Sequence, residues 1–186
     1  MRRRLLTSLV ILAAAAGTSA CGNKEAETLH GTTEGTYLDL GGMKYQVQIS
    51  RQLNPASVED RYYLIGLNGN DRRLPVGQEW FAVFMRVENT SDKPEPATNG
   101  YSIRDTQGNI YRPIAMGPKN VFVYRPAVLQ PKDVLPFADS PAGANTIQGA
   151  MLLFKIPVAN FQNRPLELLI PPPNGSGPTG SVDLDV

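Results

Sequence analysis

Few residues of this chain could take part in covalent or acid–base chemistry. Its 186 residues include one cysteine, Cys21, and one histidine, His30. A disulfide or a cysteine-rich metal site needs more than one cysteine, and a serine or cysteine nucleophile needs a positioned histidine. The acidic residues lie mostly in predicted turns, and no spacing singles out an acid–base pair. The sequence therefore predicts no catalytic residues, no enzyme activity and no cofactor.

Residues 1–20 have the composition of a secretory signal peptide. Arg2, Arg3 and Arg4 precede an apolar run from Leu5 to Ala16, and small residues follow. This order of basic, apolar and small residues is typical of a cleaved export signal. The apolar run is too short to span a bilayer comfortably, so a retained transmembrane helix is the weaker interpretation.

Cys21 stands directly after Ser19 and Ala20, and this arrangement resembles the lipobox of bacterial lipoproteins. Thr18 occupies the position where that pattern prefers leucine. The resemblance implies a diacylglyceryl thioether on Cys21, and each buried methylene of its two chains contributes about 0.8 kcal/mol to membrane binding. We therefore expect a lipid anchor on the extracytoplasmic side of the cell membrane. The alternative is cleavage elsewhere, which would leave a free thiol.

The charge of the chain excludes a nucleic-acid partner. The formal net charge is +1, and without the three arginines of the signal segment 15 basic residues face 17 acidic ones, a net charge of −2. A basic patch for nucleic acid is therefore not expected. Residues 21–36 are small and polar, which predicts a flexible tether in which His30 is solvated.

The stretch Glu79–Pro94 predicts the central strand of an all-β domain. Phe81, Val83, Met85 and Val87 alternate with residues that grade from aromatic to charged, as expected of a strand with one buried face. The remaining chain shows further short strands and many turn residues. Predicted hairpins turn at Gly41-Gly42 and at Gln107–Asn109, and predicted strands cover Tyr62–Leu67, Val121–Tyr124, Val134–Phe137, Gln148–Ile156 and Leu166–Ile170.

Four motifs in order resemble a known family. Val87–Pro94, Asp105–Tyr111, Leu129–Asp133 and Gly149–Pro157 are similar to motifs of bacterial extracytoplasmic immunoglobulin-like domains of unknown function. Such domains occur in lipoproteins and in some secreted mycobacterial antigens. Lys132-Asp133 replaces the Gly-Glu pair usual there. The resemblance implies an immunoglobulin-like antiparallel β-sandwich without catalytic residues or cofactor.

The predicted domain covers residues 37–170, and a Pro/Gly linker follows in residues 171–186. Residues 181–186 alternate in polarity and predict an edge strand, with a frayed end as the alternative. Aromatic and arginine side chains favour protein interfaces, so the loops around 60–72 and 112–130 are the predicted partner-binding region. The candidate residues are Tyr62, Tyr63, Tyr111, Arg112, Phe122, Tyr124 and Arg125.

Together these features predict a lipid-anchored, non-enzymatic binding module of the cell envelope, whose partner is a protein or another envelope component. The alternative is a metal- or solute-handling accessory lipoprotein that uses Met and Asp side chains. Met43, Met85 and Met151 fall at strand positions where core packing explains them. No metal site is therefore predicted.

Overall fold

A computed structural model describes residues 29–173 and 175–186. The predicted signal peptide and Cys21 lie outside these residues. The strands are β1 (His30–Gly31), β2 (Tyr37–Leu40), β3 (Met43–Leu53), β4 (Gln78–Asn89), β5 (Glu95–Pro96), β6 (Ser102–Arg104), β7 (Ile110–Tyr111), β8 (Val128–Leu129), β9 (Val134–Leu135), β10 (Ala150–Pro157), β11 (Leu166–Ile170) and β12 (Gly180–Leu184). The helices are α1 (Val58–Tyr63), α2 (Pro141–Ala144) and two 3-10 segments, Gly69–Arg72 and Val158–Gln162.

The strands form an all-β sandwich, which confirms the predicted fold class. One sheet has the order β10-β4-β3-β2, with β9 also paired to β4, and the other has the order β1-β12-β11-β6-β7. Strands β5 and β8 form a separate short pair. The strand pairs of the described residues are antiparallel except β1 with β12. The immunoglobulin-like subclass stays a prediction.

Strand β4 is central to the first sheet, as the sequence predicts. It pairs with β3 on one side and with β10 on the other. Phe81, Val83, Met85 and Val87 are fully buried in the core between the two sheets. Alternation along β4 sends its other side chains, among them Phe84, to the outer face of the sheet.

The outer face of β4 is covered by a second hydrophobic cluster. Trp80 and Phe84 contribute to it from β4, and Tyr63 packs on Phe84 with ring centroids 5.1 Å apart. Helix α1 delivers Tyr63, so the strand predicted over Tyr62–Leu67 is wrong. The need to place an aromatic ring on the outer face has outweighed the local β propensity.

The ion pair of Arg51 with Asp60 fixes α1 against β3. Asp60 is buried, and it also accepts a hydrogen bond of 2.7 Å from the backbone N–H of Asn54. An acidic group in the first turn of a helix is favourable because it faces the positive end of the helix dipole. A short helix, which has few hydrogen bonds of its own, is therefore held by tertiary contacts.

Both predicted hairpins are confirmed. Gly41 and Gly42, with φ of +64° and +87°, join β2 to β3, and Gly108, with φ of +84°, lies in the turn between β6 and β7. A β-bulge between Val47 and Ile49 changes the register of β3. The bulge sends Ile49 to the outer face, where it is partly exposed, and so ends the alternation seen in the sequence.

The two ends of the described chain lie side by side. Strand β12 is between β1 and β11, and its residues Val182 and Leu184 are in the core. The prediction of an edge strand is therefore corrected to an interior strand. His30 and Gly31 pair with β12, and Gly35 donates a backbone hydrogen bond of 2.8 Å to Val47. For residues 29–36 these contacts replace the predicted flexible tether.

Helices of the described residues are short, and none of them has the length and apolar character needed to cross a membrane.

Candidate functional site

The seven predicted partner-binding residues do not form one surface. Tyr62, Arg112 and Arg125 are exposed, Tyr111 and Phe122 are half-buried, and Tyr63 and Tyr124 are buried. Tyr63 and Tyr124 are therefore corrected from surface residues to core residues. Tyr63 belongs to the outer cluster, and the hydroxyl of Tyr124 donates a hydrogen bond of 2.8 Å to the carbonyl of Thr98 in the main core.

Tyr111 lies on the second sheet, away from the loop that carries Phe122 and Arg125. Its hydroxyl donates to Asp105 at 3.0 Å and accepts a hydrogen bond from Asn160. These contacts stabilise the β6–β7 hairpin. The structure does bring Tyr63 and Phe122 together, with ring centroids 5.0 Å apart, so this pair anchors the loop of residues 117–125.

An apolar groove runs beside that loop. Its walls are the segments 118–127 and 135–142, its floor includes Ala150, and its volume is about 410 Å³. Val121 and Phe137 line it with 53 % and 43 % of their surface exposed, and Arg125 is the charged residue at its rim. Exposed apolar side chains beside a charged rim are the composition that protein-binding surfaces favour.

Asn120 holds the first wall of this groove. Its side-chain Nδ2 donates to the carbonyls of Tyr63 and Ile65, both at 2.8 Å, and its Oδ1 accepts from the backbone N–H groups of Phe122 and Val123, both at 2.9 Å. Asn120 is buried, so these partners replace water completely. In the sequence Asn120 is simply an asparagine in a Pro-rich loop, and its role in supporting the groove was not predicted.

Helix α2 forms part of the second wall, and it too was missed. Ser140 is its N-cap, accepting a hydrogen bond of 3.1 Å from the N–H of Gly143. A Cβ atom at position 143 would lie 2.2 Å from the carbonyl oxygen of Phe137, so only glycine fits this close approach. Ser140 followed by Pro141 is a helix-start signal that could have revealed the element.

A second, polar site lies on the outer face of the other sheet. Arg104, Glu167 and Asp183 are register partners on β6, β11 and β12, and His30 lies beside them on β1. His30 Nδ1 is 3.8 Å from Glu167 Oε1, and His30 Nε2 is 3.8 Å from Asp183 Oδ2. Burial raises the pKa of Glu167, but hydrogen bonds from Arg104 and Ser181 and the charge of Arg104 outweigh it and lower that pKa.

Asp105, at the end of β6, is a buried carboxylate with a structural role. Gln107 and Asn109 donate backbone hydrogen bonds to Oδ1, and the side chains of Asn109, Tyr111 and Asn163 donate to Oδ2. Burial raises the pKa of Asp105, yet these hydrogen bonds together lower it well below its ordinary value. All donors come from the chain itself, so this carboxylate fixes the hairpin and the 3-10 segment behind it.

The solved structures that resemble this chain include two proteins from Bacillus subtilis. No protein-family model matches the sequence, and no curated protein matches it. The yjhA protein from Bacillus subtilis has 10 % identity and a TM-score of 0.48, over 83 % of this chain and 99 % of that one. The ycdA protein from Bacillus subtilis subsp. subtilis strain 168, classed as a lipoprotein by inference, has 10 % identity and a TM-score of 0.49 over 80 % of this chain. The match spans 38 % of the ycdA chain. The identities and TM-scores of both neighbours are too low to support a function.

Proposed function

We propose that the protein is a lipid-anchored binding module of the cell envelope, without enzyme activity, that holds an apolar segment of a partner protein in the groove beside Val121 and Phe137. The observation that carries this proposal is the groove itself. Its walls are rich in proline and aliphatic side chains, and Arg125 stands at the rim. Proline-lined walls lose little conformational entropy when a partner binds, which favours affinity.

Hydrogen bonds within the chain order the loop of residues 117–125 in the absence of a partner. Asn120 satisfies four backbone groups around the first wall, and Arg125 donates a hydrogen bond of 2.9 Å to the carbonyl of Gly117. A wall that is already ordered contributes its apolar surface without a further ordering cost. Rim charges such as Arg125 act mainly on the association rate and on partner choice.

Site-specific photo-crosslinking in intact cells tests the groove. A photoreactive residue at position 121 or 137 is expected to crosslink one shared partner protein. The matched control is Val76, a fully exposed valine outside the groove, which should not give that product. Phe137→Asp should remove the crosslink from position 121, because an apolar segment in the groove would bury the new carboxylate without a partner, which costs desolvation free energy. Equal crosslinking from all three positions, or a crosslink that survives Phe137→Asp, would contradict the proposed groove.

Membrane fractionation of the same cells tests the anchor. Cys21→Ser should move the protein from the membrane fraction to the soluble fraction, because the acyl chains have no other attachment point. Asn23→Ser, two residues away in the same polar stretch, is the control and should stay with the membrane. Unchanged membrane association of Cys21→Ser would contradict the lipid anchor and leave the test of the groove intact.

A further inference from the structure

The polar site on the second sheet has the residues of a metal centre. We propose that His30, Glu167 and Asp183 bind a first-row divalent transition-metal ion such as Zn²⁺. One ligand atom from each of these three residues lies within 4.8 Å of the other two. Imidazole and carboxylate groups are ligands that Zn²⁺ accepts, at bond lengths of about 2.0–2.2 Å.

The strand register places the ligands without help from loops. Glu167 on β11 is directly opposite Asp183 on β12, and His30 on β1 is opposite the neighbouring Ser181. Two carboxylates directly opposite each other on a sheet repel, which destabilises the pair unless a cation lies between them. Arg104 compensates one of the two charges from the far side of Glu167, so one carboxylate charge of the pair remains for a cation to balance.

Hydrogen bonds from Arg104 and Ser181 orient these residues, as hydrogen bonds to the ligands of metal sites commonly do. Arg104 binds Glu167 through Oε2, which leaves Oε1 on the side of His30. Ser181 Oγ is 2.8 Å from His30 Nδ1, which leaves Nε2 on the side of Asp183. Holding one atom of a ligand group so that the other faces the ion is the usual arrangement around bound zinc.

The geometry can close around an ion. Bonds of about 2.1 Å place tetrahedral ligands roughly 3.5 Å apart, somewhat closer than the present separations. The His30 side chain has 48 % of its surface exposed, so it can rotate toward the carboxylates without disturbing the core. Glu167 and Asp183 are on paired strands in the middle of the sheet and provide the rigid side of the site.

Calorimetric titration of the full chain with Zn²⁺ tests this site, using protein without a polyhistidine tag so that His30 remains the only histidine. We expect one Zn²⁺ per chain, together with a shift of the single set of imidazole NMR signals. His30→Ala and the isosteric Asp183→Asn should each weaken binding by more than about tenfold. Ser181→Ala, which removes the hydrogen bond to His30 Nδ1, should weaken it by about tenfold.

Two controls make the result specific. Asp139→Asn removes an exposed carboxylate from a loop outside the site and should leave the affinity unchanged. Cys21→Ser should also leave the affinity unchanged. This control is needed because a free thiol is itself a Zn²⁺ ligand, so it tests whether Cys21 is the binding group. Three results would overturn the proposal. They are no saturable Zn²⁺ binding, unchanged binding in each of the single variants His30→Ala and Asp183→Asn, and loss of binding in Cys21→Ser.

Discussion

The two faces of strand β4 are buried in different ways. Its inner face, with Val83 at the centre, packs mainly against strands of the second sheet, and Phe161 of the 3-10 segment Val158–Gln162 completes the cover by packing on Phe81. Its outer face, with Trp80 and Phe84, is covered by helix α1 and by irregular segments such as residues 114–123. The inner face is therefore covered mainly by paired strands, and the outer face by irregular segments that combine side-chain packing with a few backbone hydrogen bonds to β10.

This difference explains where the candidate binding surface lies. Irregular segments cannot turn every apolar side chain inward, because their backbone lacks the strict alternation of a strand. Some residues of the covering layer remain exposed, among them Val121 and Ile65. The groove is thus a consequence of how the outer face is covered, and the residues that stabilise the cover also shape the proposed site.

The largest effect is expected at the inner face. Val83→Asp would place an unpaired carboxylate between the two sheets, at a cost that approaches the whole stability of a domain, about 5–15 kcal/mol. Circular dichroism should show no cooperative melting. Ile49→Asp is the control, because the bulge has already moved Ile49 to the partly exposed outer face, and it should still melt cooperatively. A folded Val83→Asp protein would show that the facing of β4 is wrong.

A smaller effect is expected where the second sheet is fixed at its end. Asp105→Ala removes the buried, ionised acceptor that the side chains of Asn109, Tyr111 and Asn163 share, and we expect a loss of about 3 kcal/mol of unfolding free energy at pH 7. Urea unfolding measures it.

The pH dependence of that loss has a definite sign. Because the folded-state pKa of Asp105 is lowered, the ionised carboxylate stabilises the fold fully above its unfolded-state pKa of about 3.9, and this contribution is lost as the pH falls through the folded-state pKa. The difference in unfolding free energy between the native protein and Asp105→Ala should therefore begin to narrow below about pH 4. The control Asp139→Asn changes an exposed carboxylate in a loop and should be as stable as the native protein at pH 7. A difference in unfolding free energy that does not change with pH would contradict the stabilising role of the ionised carboxylate of Asp105.

The smallest of the three effects is expected in the cover of the outer face. Asn120→Ala should cost about 2 kcal/mol, because backbone groups of Tyr63, Ile65, Phe122 and Val123 lose a buried partner. Hydrogen exchange should accelerate in residues 117–125 before it does in β4. The control Asn99→Ala changes an exposed asparagine and should have no effect. Equal acceleration in β4 would show that the two faces are one cooperative unit.

The regular part of the sandwich could be predicted from the sequence because its signals are local. Alternation identified both faces of β4, and paired glycines identified the turn from β2 to β3. The cover of the outer face could not be predicted in the same way. Tyr62 to Leu67 has high β propensity, yet the chain there forms a helix followed by a loop because Tyr63 must reach Phe84. Tyrosine is also common both in cores and at interfaces, so composition alone could not separate buried Tyr63 from exposed Tyr62.

The polar site was out of reach for a different reason. His30, Glu167 and Asp183 are far apart along the chain, and each is unremarkable in its local sequence. The pairing of β11 with β12 and the parallel pairing of β1 with β12 bring them together, and pairing between distant strands leaves no periodic signal. Of the predicted partner-binding residues, Arg125 lines the proposed groove and Phe122 packs behind its wall, and the sequence could not distinguish the residues that support the groove from those that line it.

The interior position of β12 has a consequence for how the protein is made. Its side chains Val182 and Leu184 fill the core, and its neighbours β1 and β11 pair through it. The second sheet therefore cannot be completed until residues 180–184 have been synthesised. Until then the inner face of β4 has an incomplete cover, and a chain with exposed apolar strands is prone to aggregate. A nascent chain that stalls before β12 would thus expose apolar strands and become a substrate for chaperones.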